Sequence, residues 1–127
     1  MTARLLDIAH QRCLVIDDDG PIVRDAEGAR ELIEEAMAGW ATVIVVPAGR
    51  LDAEFFQLRS GFAGELLQKA ANYGFKFAVV GDVSRYVAAS DAFRDFVIES
   101  NRGRSIFFSA NLQAFAEHLA ALDASPD

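Results

Sequence analysis

Thr42-Val43-Ile44-Val45-Val46, closed by Pro47, decides the fold. A strand with one wet face alternates apolar and polar residues. This run is β-branched from end to end, so it reads as a strand buried on both faces. Phe75–Val80, stopped by Gly81-Asp82, reads as a second such strand, and Ser105–Phe108 as a third. Strands of this kind belong to parallel sheets, whose crossovers carry the helices that cover them. The spacing predicts those helices. Ala29, Leu32, Ile33, Ala36, Met37 and Trp40 fall on one helical stripe, with Asp25 as N-cap and Gly39 as the stop. A long helical stretch begins near Asp52, breaks around Ser60-Gly61, and continues with Phe62, Leu66, Leu67, Ala70 and Tyr73 until Gly74. Phe93, Phe96 and Val97 mark a helix ending at Gly103. Leu112, Phe115, Leu119 and Leu122 mark the last one, with Asn111 as N-cap. Upstream, Arg4–Ile8 and Cys13–Asp17 form two short apolar-rich strands joined through the polar His10-Gln11-Arg12. The order is ββαβαβαβα. It predicts an α/β fold, with an N-terminal β-hairpin followed by three βα units on a largely parallel five-stranded sheet. Phe107 and Phe108 point to opposite faces of their strand, so a helix on each face would cover both, though periodicity does not say which face each helix takes.

The chain has 127 residues, 52% of them hydrophobic, and carries 19 acidic against 12 basic side chains for a formal charge of −7. One domain over residues 1–123 is expected, with residues 124–127 as a loose tail. The hydrophobic fraction excludes a disordered chain, and the negative charge disfavours nucleic acid and anionic lipid as partners. Val43–Val46 and Phe77–Val80 fall far short of the ~20 apolar residues that cross a bilayer, and no charged-then-apolar leader opens the chain. A soluble cytoplasmic protein is expected. Cys13 is the single cysteine, so neither an internal disulfide nor a cysteine-based zinc site forms; inside a strand it reads as a small buried hydrophobe.

Phe55-Phe56-Gln57-Leu58-Arg59-Ser60-Gly61-Phe62-Ala63-Gly64-Glu65-Leu66-Leu67-Gln68-Lys69, then Asn72-Tyr73 and Ala78-Val79-Val80-Gly81-Asp82, resemble blocks of the domain of unknown function 4180 family. Arg94-Asp95-Phe96, Glu99-Ser100-Asn101-Arg102-Gly103 and Ile106-Phe107-Phe108 extend the resemblance over nearly the whole chain. That family consists of uncharacterised bacterial proteins with no activity to carry over. A hairpin followed by βα units also resembles, more distantly, the domain shared by sulfate transporters and anti-sigma-factor antagonists. That likeness implies a phosphorylatable serine after the third strand, near Ser60-Gly61. Extra sequence precedes Ser60 here, and Leu58-Arg59 stands where that family has an acidic residue.

Ligands of open parallel sheets sit beyond the carboxyl ends of the strands. Arg50 and Asp52 follow the first buried strand, Asp82, Ser84 and Arg85 the second, and Ser109 and Asn111 the third. All are expected on one rim. There Arg50 or Arg85 supplies charge to a small anionic ligand, unless Asp52, Ser84 and Asn111 merely cap helices and the arginines are solvated. Gly61 and Gly64 permit either close backbone approach of a ligand or, as favoured, close helix packing. Glu99 and Arg102-Gly103-Arg104 read as helix-end electrostatics with Gly103 in a left-handed cap. Asp17-Asp18-Asp19-Gly20 reads as a solvated turn, not a calcium loop, and Glu27, Glu31, Glu34 and Glu35 as a wet helix face. His10 and His118 accompany no nucleophile motif. No catalytic residue, metal ligand or cofactor is assigned. The leading expectation is a non-enzymatic regulatory or protein-interaction domain, with a second copy or another protein meeting Phe55 or Phe56. The alternative is a small-anion or small-molecule sensor or enzyme using the rim.

Overall fold

The computed structural model describes residues 3–123, so the expected tail at 124–127 lies outside the described residues. The fold is α/β. Strands β1 (Ala3–Ile8) and β2 (Gln11–Ile16) form an antiparallel hairpin. The turn is tighter than the sequence suggests: Ala9 and His10 alone make it, at φ 49° and 67°, and Gln11 and Arg12 already belong to β2. Two successive positive φ values give the turn whose twist matches that of the strands it joins. Helix α1 (Ala26–Ala38), strand β3 (Val43–Pro47), helix α2 (Phe62–Asn72) and strand β4 (Lys76–Val80) follow. Next come a short helix α3 (Ser84–Ala89), helix α4 (Asp91–Arg102), strand β5 (Ile106–Ser109) and helix α5 (Leu112–Asp123).

The strand order is β1-β2-β3-β4-β5, with β2 to β5 parallel. Every crossover therefore steps in the same direction, and crossovers of one hand stepping one way put their helices on one side. Leu14, Ile44, Phe77 and Phe108 meet α1, α2 and α4 there, in a core built by Leu32, Ile33, Leu66, Leu67 and Phe93. Cys13, Val43, Val45, Ala78 and Phe107 face the other way and are covered by Phe115 and Leu119 of α5. All five residues of β3 are buried, as its unbroken apolar run requires. Full burial of each such valine or isoleucine contributes about 1.5–3 kcal/mol.

Departures from the expected elements have local causes. Asp25 caps α1 through Gly28 N, but Met37 lies off the buried face of α1 and is exposed, and Trp40, beyond the helix end at Ala38, turns out at φ 57°. A left-handed conformation costs a residue with a side chain about 1–2 kcal/mol. The segment from Ala48 to Ser60 forms three short 3-10 turns, and α2 begins only at Phe62, after Gly61 at φ 83°. Tyr73, expected on the α2 stripe, is exposed. Gly103 has φ −90°, not the left-handed cap expected of it. Helix α3 has no stripe of its own long enough to announce it.

Side chains finish the sheet at its β5 edge and at the carboxyl ends of its strands. At β5, Phe108 N donates to Asn101 Oδ1 at 2.8 Å and Asn101 Nδ2 donates to Phe108 O at 3.1 Å, so one side-chain amide stands in for a neighbouring strand. At the carboxyl edge, loops are tied by Arg50, whose side chain is only 1% exposed. Its Nε donates to Pro21 O at 2.8 Å, and its Nη1 to Asp17 O at 2.6 Å and Asp19 O at 3.1 Å. Backbone bonds Val23 N to Arg50 O and Asp52 N to Val23 O stitch the same two loops. Gly20, at φ 144°, lies so close that a Cβ would stand 2.8 Å from Arg50 Cζ.

Removing this guanidinium strands carbonyl acceptors in the interior, so Arg50→Met is expected to destabilise the fold by about 2–4 kcal/mol in urea unfolding. Gly20→Ala should lose a comparable part, since it must displace the same group. Burial first, and the charge of Asp7 second, push the Cys13 thiol up to about 11 from 9.0. Native protein should resist iodoacetamide at pH 8 and react once unfolded. Because the unfolded thiol ionises first, the stability that Cys13 contributes is complete below pH 9 and is lost as pH rises towards 11.

Candidate functional site

The parallel strands do bring their carboxyl ends to one edge, where a cleft of about 710 Å³ opens. Arg4 of β1, Asp17, Asp18 and Asp19 after β2, Pro47 at the end of β3, Gly81 after β4, and Asn111 at the start of α5 line it. The Asn111 side chain accepts from Ala114 N at 2.8 Å and so serves as the cap of α5. The three aspartates do line a concave wall. Among the described residues, though, no group of three or more histidine, cysteine or acidic side chains is arranged to hold a metal ion.

Of the rim residues expected from sequence, only Asn111 lines this cleft. Arg50 is buried beneath the Asp17–Pro21 loop, where Nε and Nη1 donate to backbone carbonyls and Nη2 is buried with no hydrogen-bond partner among the described residues, so it does not stand on the rim as expected. Asp52 precedes a 3-10 turn and makes no side-chain cap bond. Asp82 accepts from Ser84 N at 2.9 Å. Hydrogen bonding from Ser84, with the charge of Arg85 beside it, holds its carboxyl below the usual carboxylate range. Arg85 donates from Nη2 to Tyr86 Oη at 2.6 Å, with its Cζ 4.7 Å from the Tyr86 ring centre. These three residues form a local cluster at the start of α3.

Phe55 and Phe56, expected on an interaction surface, are buried. Phe56 stacks on Tyr86 at 4.0 Å between ring centres and meets Phe93 edge-on at 5.7 Å, while Phe55 meets Phe62 edge-on at 6.3 Å. The pair lies inside the aromatic core that joins the 3-10 segment to α3 and α4, with Phe55 fully enclosed and Phe56 reaching only the floor of a hollow.

A second set of hollows lies on the helical side. One of about 450 Å³ is lined by Phe56, Leu58, Arg59, Tyr86, Ser90 and Ala92. Another of about 370 Å³ runs between α2 and α4, lined by Leu58, Ala63, Gly64, Leu67, Phe96 and Ile106. Leu58 borders both. A Cβ on Gly64 would meet no atom within 4 Å, so Gly64 opens a hollow and does not serve close helix packing. Arg94 on α4 is engaged by Asp91 and Asp95, whereas Arg59 on the lip has no hydrogen bond or ion pair among the described residues. Ser60 is exposed; its hydroxyl donates to Glu54 O at 2.7 Å and accepts from Phe62 N at 3.2 Å at the start of α2. At the opposite edge of the sheet, Arg102 pairs with Glu99 at 2.9 Å and Arg104 donates to Leu122 O at 3.0 Å near the end of α5, both structural roles. Spacing alone marks neither the Arg50 clasp nor the α2/α4 hollow. A buried arginine looks like a solvated one in sequence, and Gly64 looks like a packing glycine.

No helix of the described residues is long and apolar enough to cross a membrane. No curated protein and no solved structure matches the chain. The family model described as Domain of unknown function (DUF4180) matches residues 8–119, from the end of β1 into α5, and the chain belongs to that family.

Proposed function

We propose that the protein is a non-enzymatic regulatory domain of the bacterial cytoplasm that docks a segment of a partner protein against its α2/α4 side. The pair of apolar hollows sharing Leu58 carries this reading. An amphipathic helix is the occupant that suits a groove between two helices, with apolar side chains entering beside Leu58, Leu67 and Phe96. The unengaged Arg59 on the lip favours an acidic residue at the flank of that helix, whereas Arg94 on α4 is already engaged by Asp91 and Asp95.

A weaker reading makes the cleft at the carboxyl edge a sensor of a small polar molecule, with Arg4 and Asn111 as its contacts in place of Arg50. The likeness to anti-sigma-factor antagonists adds a regulatory serine. A phosphoryl group on Ser60 would stand at the positive end of α2 and break the hydroxyl's bond to Glu54 O.

Gly64 separates partner docking from stability. Gly64→Ala is expected to raise stability by about 0.5–1 kcal/mol, since it removes a helix glycine at a site with room for a methyl. Gly64→Trp should fill the hollow, keep the native circular dichroism, and abolish capture of a partner that wild type and Gly64→Ala both retain. Equal capture by all three rejects the groove. For the sensor reading, thermal-shift screening against nucleotides, phosphates and carboxylates should give a melting-temperature rise that Arg4→Ala removes. Intact-mass analysis after expression in a bacterial host decides Ser60: a chain without phosphate under every growth condition retires that site.

A further inference from the structure

We infer that the domain pairs with a second copy of itself, edge to edge, through β1. The backbone geometry comes first. Thr42 N donates to Arg12 O, so the peptide groups of Arg12 face β3. Alternate residues of a strand turn their peptide groups to opposite sides, so Gln11, Cys13 and Val15 face β1, where they pair with Ile8, Leu6 and Arg4. The peptide groups of Ala3, Leu5 and Asp7 therefore point away from the sheet. Among the described residues no hydrogen bond reaches them. The opposite edge carries the Asn101 plug on Phe108, and β1 has no counterpart.

A second copy fits this edge in one register. Two copies of β1 related by a two-fold axis run antiparallel, and only a register through a residue keeps both helical faces on the same side. Centred on Leu5, the pairing sets Leu5 opposite its copy and Ala3 opposite Asp7, so every outward peptide group finds a partner. Centred on Asp7 it opposes two carboxylates, and centred on Arg4 it opposes two guanidiniums. Centred on Leu6 it sets Leu5 against Asp7 and leaves Ala3 unpaired. Charge and hydrogen bonding select the same register.

Side chains favour that register too. Leu5 is 39% exposed although it shares the α1 face with buried Leu14, its pairing partner in β2. It lies against Gly39, where a Cβ would come within 3.0 Å of it. Gly39 stands between Met37, 51% exposed, and Trp40, 84% exposed and held at φ 57°. A tryptophan in a strained conformation with almost no cover is unexplained by the packing of one chain. The two-fold axis through Leu5 places two such apolar patches beside one central leucine pair.

Sedimentation velocity over a wide concentration range tests the pairing. Wild type is expected to reach the mass of two chains. Leu5→Pro removes an outward N–H and adds a ring at the axis while sparing the bonds to β2. It should give the mass of one chain with native circular dichroism. Leu5→Lys, which opposes two ammonium groups and keeps the backbone intact, should do the same and serves if the proline variant does not fold. A wild type that stays at one chain throughout overturns the proposal, as does a two-chain mass that persists in either folded variant.

Discussion

A parallel strand with neighbours on both sides has no face to give to water unless a helix is withheld. β3 is that strand here, buried along its whole length between β2 and β4, and the rest of the molecule answers to it. Its helical-side residues require α1, α2 and α4, while Val43 and Val45 on the other side require α5. Because every crossover steps the same way, α1, α2 and α4, with the short α3 beside them, crowd one face and a single C-terminal helix serves the other. The carboxyl-edge loops are left uncovered by that arrangement, which is why the cleft lies there.

The loops at that edge are held by a buried cation whose hydrogen bonds run to backbone oxygens. Three carbonyls and a glycine without a side chain fix the Arg50 guanidinium. A group of this kind is costly to bury unless its donors are used; Nε and Nη1 use theirs to tie down the loop, while Nη2 is buried with no hydrogen-bond partner among the described residues. The Asp17–Asp19 wall of the cleft is held through the carbonyls of Asp17 and Asp19, while Asp18 and Asp19 stay exposed.

The fold was readable because its signals are local in sequence and few in kind. The β-branched run at Thr42–Val46, the helical stripe Ala29-Leu32-Ile33-Ala36, and the caps Asp25 and Asn111 each act locally and agree with the global arrangement. The candidate site was much less readable. Periodicity says that Phe55 and Phe56 are adjacent and apolar, but not that a folded-back 3-10 segment tucks both under Tyr86 and Phe93. Spacing put Arg50 at the right edge and could not show that its chain turns inwards. Strand order, which sets what gathers at each edge, is decided by contacts between residues tens of positions apart. Residues that cap, such as Asp82 and Asn111, keep their local roles in any such arrangement, so their identity carries no information about what lies opposite.

Asn101 plugs the Phe108 end of one side of the sheet with a single amide, and the effect reaches beyond the stability of β5. Addition of strands needs two open borders to continue indefinitely, so obstructing one opposes growth beyond a single step at the other. The same side chain that satisfies Phe108 thus denies a further strand one of the two outward residues of β5, so a fold rich in phenylalanine and β-branched residues opposes fibre growth by geometry as well as by charge.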